Sequence, residues 1–116
     1  MIIRRNDAEI VELEGFRVLD YGRERELSSS LAHVEVAPGA RHPRGRSTRS
    51  DKYFYLLSGH LHAETDVQGS LELRAGDMWL VPCGEQWWYE NVSDEPAVFV
   101  LCQTPSLRMD AEVFEH

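Results

Sequence analysis

Between residues 41 and 52 the chain carries Arg41, Arg44, Arg46, Arg49 and Lys52 against one acid, Asp51. That is five of its twelve basic residues in twelve positions, within a protein of formal net charge −8. Two readings fit. The run is a polar loop, solvated or salt-bridged to the acidic tail, or it is an electropositive rim that draws in a carboxylate or phosphate through bidentate arginine. Lys52 is the only lysine. Paired with Asp51 or another carboxylate it is a structural ion pair; held out of water its pKa falls, and it can act as a base, an acid or an amine nucleophile. His33 and His42 are imidazoles able to move protons near neutral pH, and Tyr89 supplies a phenol. His60, His62 and Glu64 spell HxHxE, the donor types a transition metal takes. Strand alternation sets them opposite Leu61 and Ala63, which favours a solvated or interface face.

The elements that would hold these groups are strands. Ile10, Val11 and Leu13, then Phe16, Val18 and Leu19, flank Gly15 as two short strands within residues 1–27. The charged RERE at 23–26 reads as a solvated turn. From Ser29 to Ala37 the residues alternate, with Ala32, Val34 and Val36 on one side and Leu31, His33 and Glu35 on the other. Residues 40–50 read as a polar loop, and the aromatic run KYFYLL from Lys52 to Leu57 as a strand. His60 to Asp66, Leu71 to Ala75, Met78 to Val81, Gln86 to Asn91 and Ala97 to Gln103 follow as strands between turn signals. The acidic tail, 106–116, forms a short helix or strand. Many short strands without helical periodicity imply an antiparallel sandwich or barrel.

Composition limits the rest. A chain of 116 residues, 42% hydrophobic, is expected to build one domain with one core. Its acidity disfavours nucleic acid and anionic membranes as partners. Cys83 and Cys102, not in CxxC spacing, read as reduced thiols, and MIIRRNDAEI does not read as a signal peptide. No apolar run approaches spanning length, so a soluble, cytoplasmic protein is expected.

Gly76, Pro82, Gly84, Trp87 and Asn91 follow G-x5-P-x-G-x2-H-x3-N, the second motif of the cupin superfamily, with tryptophan in the histidine's place. The first motif, G-x5-HxH-x3,4-E-x6-G, is bracketed by Gly39 and Gly59. Counting back from Gly59 sets Lys52 at its glutamate, and the HxH positions fall on Gly45 and Ser47 or on Arg46 and Thr48. The chain therefore resembles a small cupin over roughly residues 30–105. The resemblance implies an all-β, antiparallel jelly-roll barrel with a site in its mouth, often dimeric. It also implies that the four usual metal-ligand positions are lost, so no metal and no cofactor are expected.

On that resemblance Lys52 points inward. Lys52 and Tyr89 are the candidate catalytic residues, and Arg46, Thr48, Trp87, His42 and His33 the candidate ligand-binding residues, with Ser47 the other choice if the 40–50 register shifts. Trp87 either stacks on a ligand ring or plugs the space a metal once filled. Trp79, Phe54 and Tyr55 read as packing; Trp88 and Tyr53, facing outward, are candidates for a homodimer interface. Three functions follow: a metal-independent isomerase, cyclase or lyase acting on a small anionic or aromatic molecule; a binding module without chemistry; and a metallocupin with displaced ligands.

Overall fold

The computed structural model describes residues 1–22 and 25–115, so the turn expected at 23–26 lies partly outside the described residues. Eleven strands are present among them: β1 (Glu9–Leu13), β2 (Phe16–Asp20), β3 (Ser30–Val36), β4 (Arg41–Ser47), β5 (Asp51–Ser58), β6 (His60–Thr65), β7 (Gly69–Arg74), β8 (Met78–Val81), β9 (Trp87–Glu90), β10 (Ala97–Thr104) and β11 (Glu112–Phe114). They form two antiparallel sheets, ordered β1-β2-β3-β10-β5-β8 and β11-β4-β9-β6-β7. This is the two-sheet layout of a jelly roll, as the strand pattern predicts. No helix among the described residues is long and apolar enough to cross a membrane.

Alternation decides what faces inward. Val34, Val36, Phe54, Leu56, Trp79, Val81, Ala97 and Phe99 of the first sheet meet Leu61, Ala63, Leu73, Trp87 and Tyr89 of the second in one buried cluster. Phe54 stacks on Trp79 at 4.6 Å between centroids, so both are packing residues, as expected. Tyr55 is 47% exposed on the outer face, contrary to the expectation that it packs, because it alternates with Phe54 along β5. Gly59 joins β5 to β6 with φ +85°, and a Cβ there would lie 2.7 Å from Ala97 Cα, so backbone approach and conformation both demand glycine. Asn91, fully buried, donates to the carbonyls of Val36 and Glu95 and accepts from Ser93 N–H and O–H. The motif asparagine is thus a brace for the turn into β10.

Residues 41–47 form a strand, not the loop expected from their polarity. β4 is held on both sides, by β9 and by β11. Its arginines at 44 and 46 are exposed, while Gly45 and Ser47 are buried. A sequence reading based on apolar alternation is blind to such a strand. The tail is likewise recruited into the sheet. Glu112 pairs with Ser47, Val113 with Arg46 and Phe114 with Gly45. A Cβ on Gly45 would come within 2.7 Å of the Phe114 ring, so the absent side chain at one candidate HxH position is what lets the tail close down.

Candidate functional site

The space between the sheets is filled by side chains near β6, β7 and β8, and opens toward β1, β2 and β11 into a cavity of about 520 Å³. Its wall is mainly aromatic and aliphatic, with the polar groups of His42, Lys52, Tyr89, Gln103 and Glu112 set into it.

Lys52 is 2% exposed and faces the cavity from β5, as its motif position implies. Its ammonium donates to Gln103 Oε1 at 2.5 Å and to Glu112 Oε1. Its carboxylate partner is Glu112, across the fold; Asp51 instead accepts from Cys83 N–H at 2.8 Å. Burial lowers the lysine's pKa, and the hydrogen bond and charge of Glu112 oppose that shift. The second carboxylate oxygen, Glu112 Oε2, is buried and finds no donor among the described residues.

His42 lies on the same wall, stacked on Trp87 at 4.5 Å and on Tyr89 at 5.1 Å, with Phe114 edge-on at 5.6 Å. Its Nδ1 is 2.8 Å from Pro43 O. A carbonyl can only accept, so Nδ1 carries the proton and Nε2 is left with a free lone pair. Burial is the main cause that lowers the imidazole pKa to about 4; the bond to Pro43 opposes it, Lys52 adds to it and Glu112 offsets it. His42 is therefore neutral at pH 7 and a bare acceptor. Tyr89 is 3% exposed, and burial raises its pKa above the ordinary phenol value, so it stays a neutral O–H.

Trp87 belongs to the core and to the cavity wall at once. One of its faces is taken by His42, and Lys52 Nζ lies 5.6 Å from its centroid. Its indole N–H is buried without a partner among the described residues.

The other expected site residues stand elsewhere. Arg46 is exposed on the outer side of β4, and Thr48 is spent on Ala111 O at 3.0 Å. Neither lines the cavity, because Gly45 and Ser47 are the inward pair. Ser47 itself accepts from the N–H groups of Arg49 and Ser50 and closes the turn into β5. His33 lies opposite Leu19 and Val100, on the face away from Ala32 and Val34, which do line the cavity. The basic run is a clasp on the tail more than a rim. Arg44 pairs with Glu115 at 3.7 Å and Arg49 donates to Ser106 O at 3.0 Å. Arg41 alone of the four arginines reaches the cavity, and its guanidinium covers Trp88 at 4.4 Å. Trp88 and Tyr53 face outward as expected, but on different sheets.

Sequence reasoning missed Glu112, Gln103 and Phe114. Glu112 and Phe114 sit in an unpatterned tail and reach the site only by pairing with β4. A lone lysine in an apolar strand was the available signal, since a buried ammonium demands a carboxylate.

The cupin fold is associated with metal centres, so the donor set matters. The cavity lining holds one imidazole, His42, and the carboxylates Glu14, Asp20, Glu112 and Glu115; Glu112 is bound to a lysine ammonium that would repel a cation, Glu115 pairs with Arg44 and Asp20 accepts from Gly22 N–H. No group of three histidine, cysteine or acidic side chains among the described residues is arranged to hold a metal. His60 and His62 both bond Glu72, at 2.9 and 2.5 Å, on the outside of the second sheet. The residues present do not fit the metal.

Solved structures similar to this chain include the Streptomyces nucleoside dehydratase Pac13, seen in one case as a variant with uridine. That variant has a TM-score of 0.84 and 19% identity, covering 99% of this chain and 90% of the other. Oxalate decarboxylase from Bacillus subtilis has a TM-score of 0.82 at 24% identity, and the chain spans 31% of it while 96% of this chain is covered. A sugar phosphate isomerase from Silicibacter pomeroyi has a TM-score of 0.70 at 25% identity, over 78% of this chain and 60% of that one. No curated protein sequence matches the chain. The Cupin domain family matches residues 32–102, more than half of the chain and both motif segments, and the chain belongs to the cupin family.

Proposed function

We propose that this cupin is a metal-independent enzyme that moves a proton on a small organic molecule held between its sheets, in a reaction of the isomerase, cyclase or lyase type. The observation that carries the reading is His42, neutral, with Nδ1–H committed to Pro43 O and Nε2 free beside the cavity. In that role Nε2 takes a proton from a carbon next to a carbonyl. The electron pair moves to the carbonyl oxygen, and the neutral Tyr89 O–H donates a hydrogen bond to it. Lys52 anchors Glu112 and is not the base, since its ammonium is held by a carboxylate. The likeness to a nucleoside dehydratase and a sugar phosphate isomerase supports small-molecule chemistry in this space.

The test is proton exchange. Wild type and His42→Gln are incubated in D2O with carbonyl forms of sugars and nucleosides, and carbon-bound hydrogen is followed by NMR. Exchange by wild type that falls at least about a hundredfold in the variant, with ligand affinity retained, is the expected result. A variant that changes affinity alone makes the protein a binding module.

We further propose a homodimer through the outer face of the first sheet. Leu31, Tyr55, Leu57, Met78 and Leu80 are between 38% and 61% exposed there, and Tyr53 lies among them. Sedimentation of wild type against Tyr55→Glu tests it, a monomeric wild type ending the idea. The two free cysteines favour a reducing, cytoplasmic compartment.

A further inference from the structure

We propose that the Lys52–Glu112 pair is a hydroxyl-binding subsite, and that Glu112 makes the cavity select an uncharged, polyhydroxylated ring compound over a phosphorylated or carboxylated one. This rests on the reading that the cavity binds a small organic molecule, but its readout is selectivity rather than turnover.

The first observation is the pair's unused capacity. A lysine ammonium has three N–H donors; one goes to Glu112 Oε1 and one to Gln103 Oε1, which leaves one. Glu112 is 4% exposed at its side chain, and its Oε2 has no donor among the described residues. A donor and an acceptor therefore stand side by side just beneath the cavity wall, where a small turn of the carboxylate opens Oε2 to a bound molecule. That is the complement of a hydroxyl group, which accepts and donates at one atom. A phosphate or carboxylate has only acceptors at neutral pH: it would satisfy the ammonium, but would meet the Glu112 charge where little water screens it.

The second observation is the third unpaired group nearby. Trp87 Nε1–H is buried without an acceptor among the described residues, on a ring whose centroid is 5.6 Å from Lys52 Nζ. An oxygen-rich ligand edge at this corner would serve it, while the rings of Phe16, Phe54, Phe99 and Phe114 offer the rest of the ligand an apolar face. The third observation is charge. The buried Lys52–Glu112 pair leaves no net positive charge for an anion, and the guanidinium of Arg41 lies over the outward-facing Trp88. Of the two sequence readings of the basic run, the anion rim is not the one realised, since Arg44, Arg46 and Arg49 lie outside the lining.

The experiment is titration calorimetry of the full chain with matched pairs, uridine against uridine 5′-monophosphate and ribose against ribose 5-phosphate. Wild type is expected to bind the uncharged member roughly ten- to hundredfold more tightly, the range for a hydrogen bond to a charged group. Glu112→Gln is expected to lose most of that affinity and to gain affinity for the phosphate ester, so that the preference inverts. Should Glu112→Gln not fold, Lys52→Met with Glu112→Leu removes both charges together, and its expected result is loss of discrimination. A wild type that prefers the ester, binds neither member at millimolar concentration, or keeps its preference through these substitutions overturns the proposal. His42→Gln separates the two readings. If it loses proton exchange while keeping the preference, both stand; if wild type discriminates but exchanges no proton, the subsite stands and the catalytic reading falls.

Discussion

The second sheet carries histidines on both of its sides, and the two settings are chemically opposite. Outside, His60 and His62 share the two oxygens of Glu72, partly open to water, with side-chain exposures of 34%, 26% and 46%. Inside, a single His42 lies across the rings of both Trp87 and Tyr89, fixed in one tautomer by a backbone carbonyl, with a buried Lys52–Glu112 pair on the same wall. The outer group has the spacing of a ligand set, yet its imidazoles are spent on one solvated carboxylate. The inner group has no spacing signature at all, yet burial gives it a base, a neutral phenol and an ion pair with unused hydrogen-bonding capacity. Environment makes the site; residue type alone does not.

Four substitutions or conditions sharpen that contrast. The largest effect belongs to Lys52→Met, which leaves Glu112 as a buried uncompensated charge and should cost about 3–5 kcal/mol in urea unfolding. Adding Glu112→Leu should recover most of the loss, because the pair's desolvation disappears with it. A single variant as stable as wild type would mean that Glu112 leaves the cavity easily.

Acid comes second. His42 in the folded protein has its pKa lowered from 6.5 to about 4, so between these values the unfolded chain binds more protons than the native one. Its stabilising effect is complete above about pH 6.5 and lost as pH falls through about 4, a change of about 3 kcal/mol. His42→Gln should flatten that limb of the stability–pH curve. An unchanged curve would show that His42 is not held neutral.

Gly45→Ala should cost about 1–3 kcal/mol by pushing its Cβ against the Phe114 ring, and should loosen the tail that carries Glu112. Hydrogen exchange at Val113 and Phe114 would report it. The smallest effect is expected at the outer cluster, where Glu72→Gln should change stability by less than about 1 kcal/mol and leave cavity binding untouched. A large loss there would mean that the outer cluster braces the sheet.

The strands rich in apolar alternation were legible in advance, from β3 through β5 to β10, because one buried face imposes period two on the sequence. So was the inward position of Lys52. β4 was not, since a strand whose outward side chains are arginines and whose inward ones are Gly45 and Ser47 carries no hydrophobic pattern. For the same reason Arg46 and Thr48 read as site residues and stand outside it. His33 is excluded differently: it shares a side of β3 with Leu31 and Glu35, and the wholly apolar side, Ala32, Val34 and Val36, is the one turned inward.

Sequence alone thus determined that this chain is an all-β cupin whose usual metal-ligand positions hold other residues, because motif glycines and buried periodicity are local demands of turns and sheets. Only the tertiary structure decided what replaced them. A neutral His42, a Glu112 drawn in by tail pairing and a Lys52 between Gln103 and that carboxylate depend on burial and on contacts between residues 51 and 60 positions apart, for which no local pattern exists.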